Sequence, residues 1–253
     1  MIGGMLFAAL LIALGSFPAV AGDWPTIDDL YVGDVFKYPL VGEPKGHEVR
    51  PTQEGAGMRA VRKKEKDFAK MGHDELKRML ENDPVPVVAA PDGRFYMIDH
   101  HHQSLAAHGV GRENAFFLLH TDYSKLPGGT GAERMAEFWR RMKAKKWVRE
   151  FDHAGRPIDI PDGLPKSILG MKDDPYRSLA WYVRKDGGYR KTNVEFAEFL
   201  WADFFRARVD LGTSDDDFEA AIRKAVRIAH TADAKELPGW SAKAVDCKSH
   251  LSR

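Results

Sequence analysis

At 253 residues, with 43% hydrophobic and 30% charged residues, the chain can bury a substantial core and has the balance of a globular protein. Lys plus Arg (38) nearly cancels Asp plus Glu (37), which excludes a bulk electrostatic pull toward nucleic acid; any such binding needs a local patch. The single cysteine, Cys247, excludes an internal disulfide.

The N-terminus differs from the rest. Residues 5–14 are apolar and too short to span a bilayer, and a Gly-Ser-Phe-Pro break leads to Ala19-Val20-Ala21, an Ala-x-Ala cleavage pattern. The pattern predicts a secretory signal peptide over residues 1–21, although no Lys or Arg precedes the apolar run. Cleavage after Ala21 would leave a secreted or periplasmic mature chain without a membrane span.

Residues 29–40 suggest a strand ending at Pro39, and 41–57 read as Gly/Pro-rich and irregular, with a turn at Arg50-Pro51. A basic helix is expected over 58–71, with Met58, Val61, Phe68 and Met71 as a sparse apolar stripe. A shorter helix over 74–81 is stopped by Asn82-Asp83-Pro84. Two β-rich runs, 85–89 and 94–98, are joined by Pro91-Asp92-Gly93, a hairpin signal. The stretch HHHQSLAAHGVG (100–111) reads as a helix closed by Gly109, and 115–123 as an apolar strand.

Beyond the Gly-rich joint at 126–131 the chain turns helical. Thr130 and Glu133 form a capping box for a helix through about Trp147, with Met135, Phe138, Trp139 and Met142 on one face. Residues 153–168 form a Pro/Gly-rich loop. Residues 194–209 read as a buried helix with Glu195, Glu198 and Arg206 on a narrow polar stripe; a buried Glu198 needs a partner such as Arg177. Ser214 caps a last helix whose final turn carries Arg227 and His230.

The residues that carry chemistry are IDHHHQ at 98–103, where a strand meets a helix. A helix N-terminus presents unpaired N–H groups and partial positive charge, which suit phosphate and hold nearby imidazoles neutral. Neutral histidines beside Asp99 could act as bases or ligate a divalent metal, with Asp99 and His101 as the candidate ligands. Geometry limits that second reading. Consecutive helical residues diverge by about 100°, so three in a row cannot converge on one ion.

The order VRPTQ (49–53), basic helix, short helix, PVVA-PDGR-FYMIDHHH, helix resembles the ParB-like nuclease family. This family belongs to the superfamily of ParB N-terminal domains and sulfiredoxins. The superfamily motif is D-G-H-H-R-x-x-A; Asp99, His101, His102 and Ala106 match it, while His100 replaces the Gly and Gln103 replaces the Arg. The resemblance covers roughly residues 30–125, and DPYRSLAWYVR…FAEFLWADFFR looks like the same subgroup. It implies an α+β fold, a ParB/sulfiredoxin-like small mixed sheet with helices over 22–125, followed by a mainly α-helical region over 126–253. It also implies catalysis by Asp99, His100, His101 and His102, with substrate phosphate held by Arg50, Thr52, Gln53, Lys63, Lys64, Gln103 and Ser104.

Two functions are expected from this reading. One is an exported enzyme of phosphoryl chemistry, a nuclease, phosphodiesterase or nucleotide-dependent transferase, with a divalent metal as candidate cofactor. The other is a non-catalytic module that binds a small anionic or nucleotide-like ligand or an envelope partner, turnover having been lost with the Arg-to-Gln change at 103. Chromosome partitioning ranks low, because a signal peptide would remove the protein from DNA. Sulfiredoxin-like chemistry ranks lower, because Cys247 is far from the motif.

Overall fold

The computed structural model describes residues 24–42 and 49–245; the expected signal peptide and Cys247 lie outside them. The sheet follows from alternation. In β1 (Val35–Pro39) Phe36 and Tyr38 point inward, and in β6 (Asn114–Asp122) Ala115, Phe117 and Leu119 do the same. The two strands pair antiparallel, and the rings of Phe36, Tyr38, Phe95 and Phe117 pack with centroids 5.1–6.4 Å apart.

β4 (Val85–Ala89) lies parallel to β6 and antiparallel to β5 (Phe95–Met97). The hairpin turn is the expected one: Gly93 takes φ +81° and the Asp92 carboxylate accepts the Arg94 N–H at 3.1 Å. An outer strand, β2 (Val49–Pro51), pairs parallel with β5, giving the order β1-β6-β4-β5-β2.

That outer strand corrects the irregular stretch expected at 41–57. Pro51 is tolerated because an edge strand can lack a ladder N–H on its free side. Residues 51–57 are buried throughout, and β3 (Gly55–Ala56) pairs parallel with β7 (Lys172–Asp173) in a second, two-stranded sheet. A Cβ on Gly57 would sit 2.6 Å from the Ser178 nitrogen, so only glycine lets the segment approach the helix behind it.

One face of the main sheet is covered by α1 (Met58–Phe68), α2 (His73–Asn82) and α3 (His101–Gly109), through Val61, Phe68, Leu76, Leu80 and Leu105. The other face packs on α4 (Gly131–Ala144) through Phe138, Trp139 and Met142 against Val88 and Tyr96. Thr130 and Glu133 cap α4 reciprocally as expected, though the helix ends at Ala144 rather than near Trp147. A third core joins α5 (Pro175–Lys185), α6 (Ala197–Arg206) and α7 (Asp215–Ala229), where Trp201 stacks on Tyr189 at 4.3 Å.

The strand order and the helices make a mixed α+β fold. Among the described residues no helix is long and apolar enough to cross a membrane.

Candidate anion-binding cavity at the strand–helix junction

The chain leaves β5 through Ile98 and Asp99 and enters α3 at His100. His100 adopts a left-handed conformation (φ 64°, ψ 20°), the backbone state for which glycine is the usual residue. The Gly of the family motif is therefore a conformational requirement, which this chain meets with a histidine at a cost of about 1–2 kcal/mol. The Asp99 carboxylate accepts the His100 N–H at 2.6 Å, which helps hold the turn.

No side chain caps α3, and the Ser104 N–H is satisfied within the helix by His100 O. The first turn thus opens into a cavity of about 520 Å³ whose far wall is built by α5, α6 and the loop between them. Asp99, His100, His101, His102, Gln103 and Gln53 line the near side.

The three histidines have separate fates. His101 is buried, and its Nε2 accepts the Thr52 N–H at 3.3 Å; the His102 Nε2 accepts the Gly57 N–H at 2.9 Å. A nitrogen that accepts carries no proton, so both rings are the Nδ1–H tautomer. Burial pushes the His101 pKa down to about 3 against the opposing pull of Asp99, and burial with the Arg177 charge holds His102 well below the usual imidazole range.

The cause is the buried 51–57 segment: an unpaired buried N–H is costly, and two imidazoles supply the acceptors. His100 differs, with its Nε2 3.7 Å from the Asp83 carboxylate and its Nδ1 buried without a partner among the described residues.

The other residues expected at the site divide. Gln53 and Gln103 line the cavity, but each amide is used locally: the Gln53 Nε2 donates to Gly55 O and the Gln103 Nε2 to Asp83 O. Lys64 lines the cavity, and burial pushes its pKa down against the opposing charge of Asp83.

Four of the expected residues do not line the cavity. Strand alternation sends Val49 into the first core and Arg50 to the opposite face, beside Tyr96. Thr52 is wholly buried beneath the floor, its hydroxyl donating to Met97 O. Lys63 lies on the exposed side of α1, paired with Asp67 at 2.6 Å. Ser104 is buried, and its hydroxyl has no partner among the described residues.

Sequence reasoning missed the charged wall. α5 brings Arg177 and Arg184 to the cavity, and both grip Glu198 of α6: Arg177 Nη2 bonds one carboxylate oxygen, and Arg184 Nε the other at 2.6 Å. Burial raises the Glu198 pKa, but Arg177 and Arg184 outweigh it and the net shift is downward. The pairing expected for Glu198 is thus present, with a second arginine added. Arg177 Nε and Nη1 are buried without a partner among the described residues, so its charge is only partly answered there.

A signal for α5 was available: Asp174 accepts the N–H groups of Tyr176 and Arg177 and Pro175 follows it, an N-cap with Pro at the first helical position. Glu195 was expected on the polar stripe of a helix from 194. α6 instead starts at Ala197 after Phe196 in a left-handed turn, which leaves Glu195 on the cavity wall. Burial, and then the charge of Asp99, push the Glu195 pKa up. Among the described residues no group of three or more His, Cys, Asp or Glu side chains could hold a metal ion.

Comparison with known proteins agrees with this architecture. No curated protein matches the chain significantly. The crystal structure of protein Atu1540 from Agrobacterium tumefaciens is similar, with 35% identity and a TM-score of 0.71, over 84% of this chain and 98% of that one. The sequence profile of the family described as "Putative ParB-like nuclease" matches residues 45–207 and so takes in both walls of the cavity. With its mixed sheet, its α3 junction and that match, the chain belongs to the ParB-like nuclease family and has a ParB/sulfiredoxin-like fold.

Proposed function

We propose that the cavity binds a phosphate-bearing ligand at the N-terminus of α3 and hydrolyses its phosphate ester. One observation carries the reading: the uncapped first turn of α3 faces the same cavity as Lys64, Arg177 and Arg184. Backbone N–H groups and a helix dipole meet phosphate oxygens on one side, and cationic side chains meet them on the other. The charge that Gln103 does not supply is replaced from α1 and α5.

Within this reading His101 and His102 are positioning residues, since their acceptor nitrogens are spent on Thr52 and Gly57. The reacting groups are the two carboxylates at the cavity, Asp99 and Glu195. Asp99 takes a proton from the attacking water as oxygen bonds to phosphorus. Glu195, its pKa raised, gives a proton to the leaving oxygen as the ester bond breaks.

The test is incubation of the purified chain with a chromogenic phosphodiester and with single-stranded oligonucleotides, in the presence of Mg²⁺ or Mn²⁺. Turnover that falls at least a hundredfold in Asp99→Asn supports the assignment. Ligand-induced stabilisation without turnover under any of these conditions selects the second reading, a module that binds a small anion or an envelope partner. The local use of both histidine acceptors and of the Gln103 amide favours that alternative. Export completes the proposal. Expressed with a C-terminal tag, the protein is expected outside the cytoplasm with an N-terminus at Gly22, and a cytoplasmic chain beginning at Met1 removes this part.

A further inference from the structure

Helix α5 does more than deliver two arginines. Leu179, Ala180 and Val183 are fully buried in the third core, whereas Arg177, Trp181 and Arg184, at i, i+4 and i+7, share the face that lines the cavity. Trp181 is the residue the fold does not explain.

The sequence has six tryptophans. Trp24, Trp139, Trp147, Trp201 and Trp240 each pack into one of the three cores; Trp181 packs into none and stays half-buried on the cavity wall. Its indole N–H, like the buried one of Trp139, has no hydrogen-bond partner among the described residues, while those of Trp201 and Trp240 donate to the carbonyls of Pro238 and Thr231. A tryptophan left at a cavity gives up much of the burial that makes the residue stabilising.

The surroundings say what the ring could receive. Tyr182 meets Trp181 edge-on, with centroids 4.9 Å apart and an interplanar angle of 84°, and Lys185 Nζ lies 5.4 Å from the ring centroid. These contacts fix the orientation of the indole and set a cation over one of its two faces. Lys64 and Arg184 line the same cavity. An aromatic face among cations suits a ligand that carries both a planar ring and a phosphate. The volume of about 520 Å³ lies within the range of about 300–1,000 Å³ usual for small-molecule sites.

We infer that Trp181 is a stacking platform and that the ligand of this cavity is a nucleotide, free or within a single strand, whose base lies on the indole while its phosphate meets the start of α3. The inference rests on the phosphate-binding reading above and adds the base. Duplex bases are excluded from such a platform, because both faces of each base are covered by its neighbours.

Binding to the full chain is measured by calorimetry with inorganic phosphate, ribose 5-phosphate, AMP, CMP, and a dT oligonucleotide single-stranded and in duplex form. The nucleoside monophosphates are expected to bind about tenfold or more tighter than ribose 5-phosphate. Trp181→Leu should abolish that advantage while leaving ribose 5-phosphate affinity unchanged, and Trp181→Phe should retain most of it. Tighter binding of the single-stranded oligonucleotide than of the mononucleotides supports the platform and assigns the ligand to the polymer, and equal affinity supports it and assigns free nucleotide.

Equal affinity of native protein for nucleotide and ribose 5-phosphate overturns the platform but leaves the phosphate site standing. So does equal weakening of both ligands by Trp181→Leu, or duplex binding as tight as single-stranded. Failure of every phosphate-bearing probe to bind overturns the phosphate reading itself, and the inference with it.

Discussion

The two walls of the cavity are built on opposite principles. On the α3 side the hydrogen-bonded side chains are neutral: His101 and His102 accept backbone N–H groups, and Gln103 donates to a backbone carbonyl. On the α5–α6 side they are charged, and Arg177, Arg184 and Glu198 neutralise one another only in part. The first wall provides shape and backbone donors; the second provides field. A cluster of histidines beside an aspartate can thus serve the chain's own backbone, while the charge for an anionic ligand comes from a helix more than seventy residues further along.

The sharpest way to break this contrast is at Glu198. Glu198→Ala leaves two partly buried arginines without their shared anion and is expected to cost about 3–5 kcal/mol in chemical denaturation. A loss below about 1 kcal/mol would mean that the charged wall is solvated and not built as described.

His101→Ala tests the neutral wall. It strands the buried Thr52 N–H and opens a hole, with an expected loss of about 2–3 kcal/mol. In a protein of this size that lowers Tm by roughly 4–12 °C. Unchanged stability with lost turnover would instead make the ring a reacting group.

The same wall has a pH signature. The folded-state pKa of His101, about 3, lies below the unfolded value of 6.5, and His102 shifts the same way, so the unfolded state binds more protons as pH falls through this window. Stability should therefore decline from pH 6.5 downward, with a slope approaching two protons, or about 2.7 kcal/mol per pH unit. Denaturation between pH 5 and 6.5 reads the effect, against which the raised Glu195 and Asp174 carboxyls act in the opposite direction, and His101→Gln should reduce the slope.

Lys64 and Lys63 sharpen the comparison by binding. Lys64→Met should weaken phosphate affinity about tenfold, as expected for a charge-assisted contact. Lys63→Met, on the solvent side of α1 and paired with Asp67, should change it less than about twofold. Equal effects would place the anion outside the cavity. The smallest stability effect is a gain: His100→Gly relieves the left-handed strain and should stabilise by about 1 kcal/mol. If that variant binds phosphate like the native chain, the His100 ring has no role in the anion site.

Much of the fold was legible because it is local. The hairpin turn at Pro91-Asp92-Gly93, the capping box at Thr130 and Glu133 and the Ser214 cap each act within a few residues, and each appears where the pattern placed it. The junction at 99–103 was legible through its motif. The edge strand at 49–51 was hidden, since nothing within Arg50-Pro51 announces a parallel partner more than forty residues away. The positions of Arg50 and Lys63 were hidden for a related reason: residue type suggested phosphate contacts, but strand alternation and helix rotation turned both away from the cavity.

By itself, then, the sequence determined that a strand ends just before Asp99, that a helix starts among three histidines, and that a buried Glu198 must find a cation. Those are statements about neighbours in the chain and about the cost of burying charge. Which histidine nitrogen is spent, which cations meet the ligand, and where Trp181 turns its ring were decided only when β3 paired with β7 and carried α5 across the start of α3. Contacts between segments so distant in sequence leave no local pattern, because they are selected by the packing of whole faces.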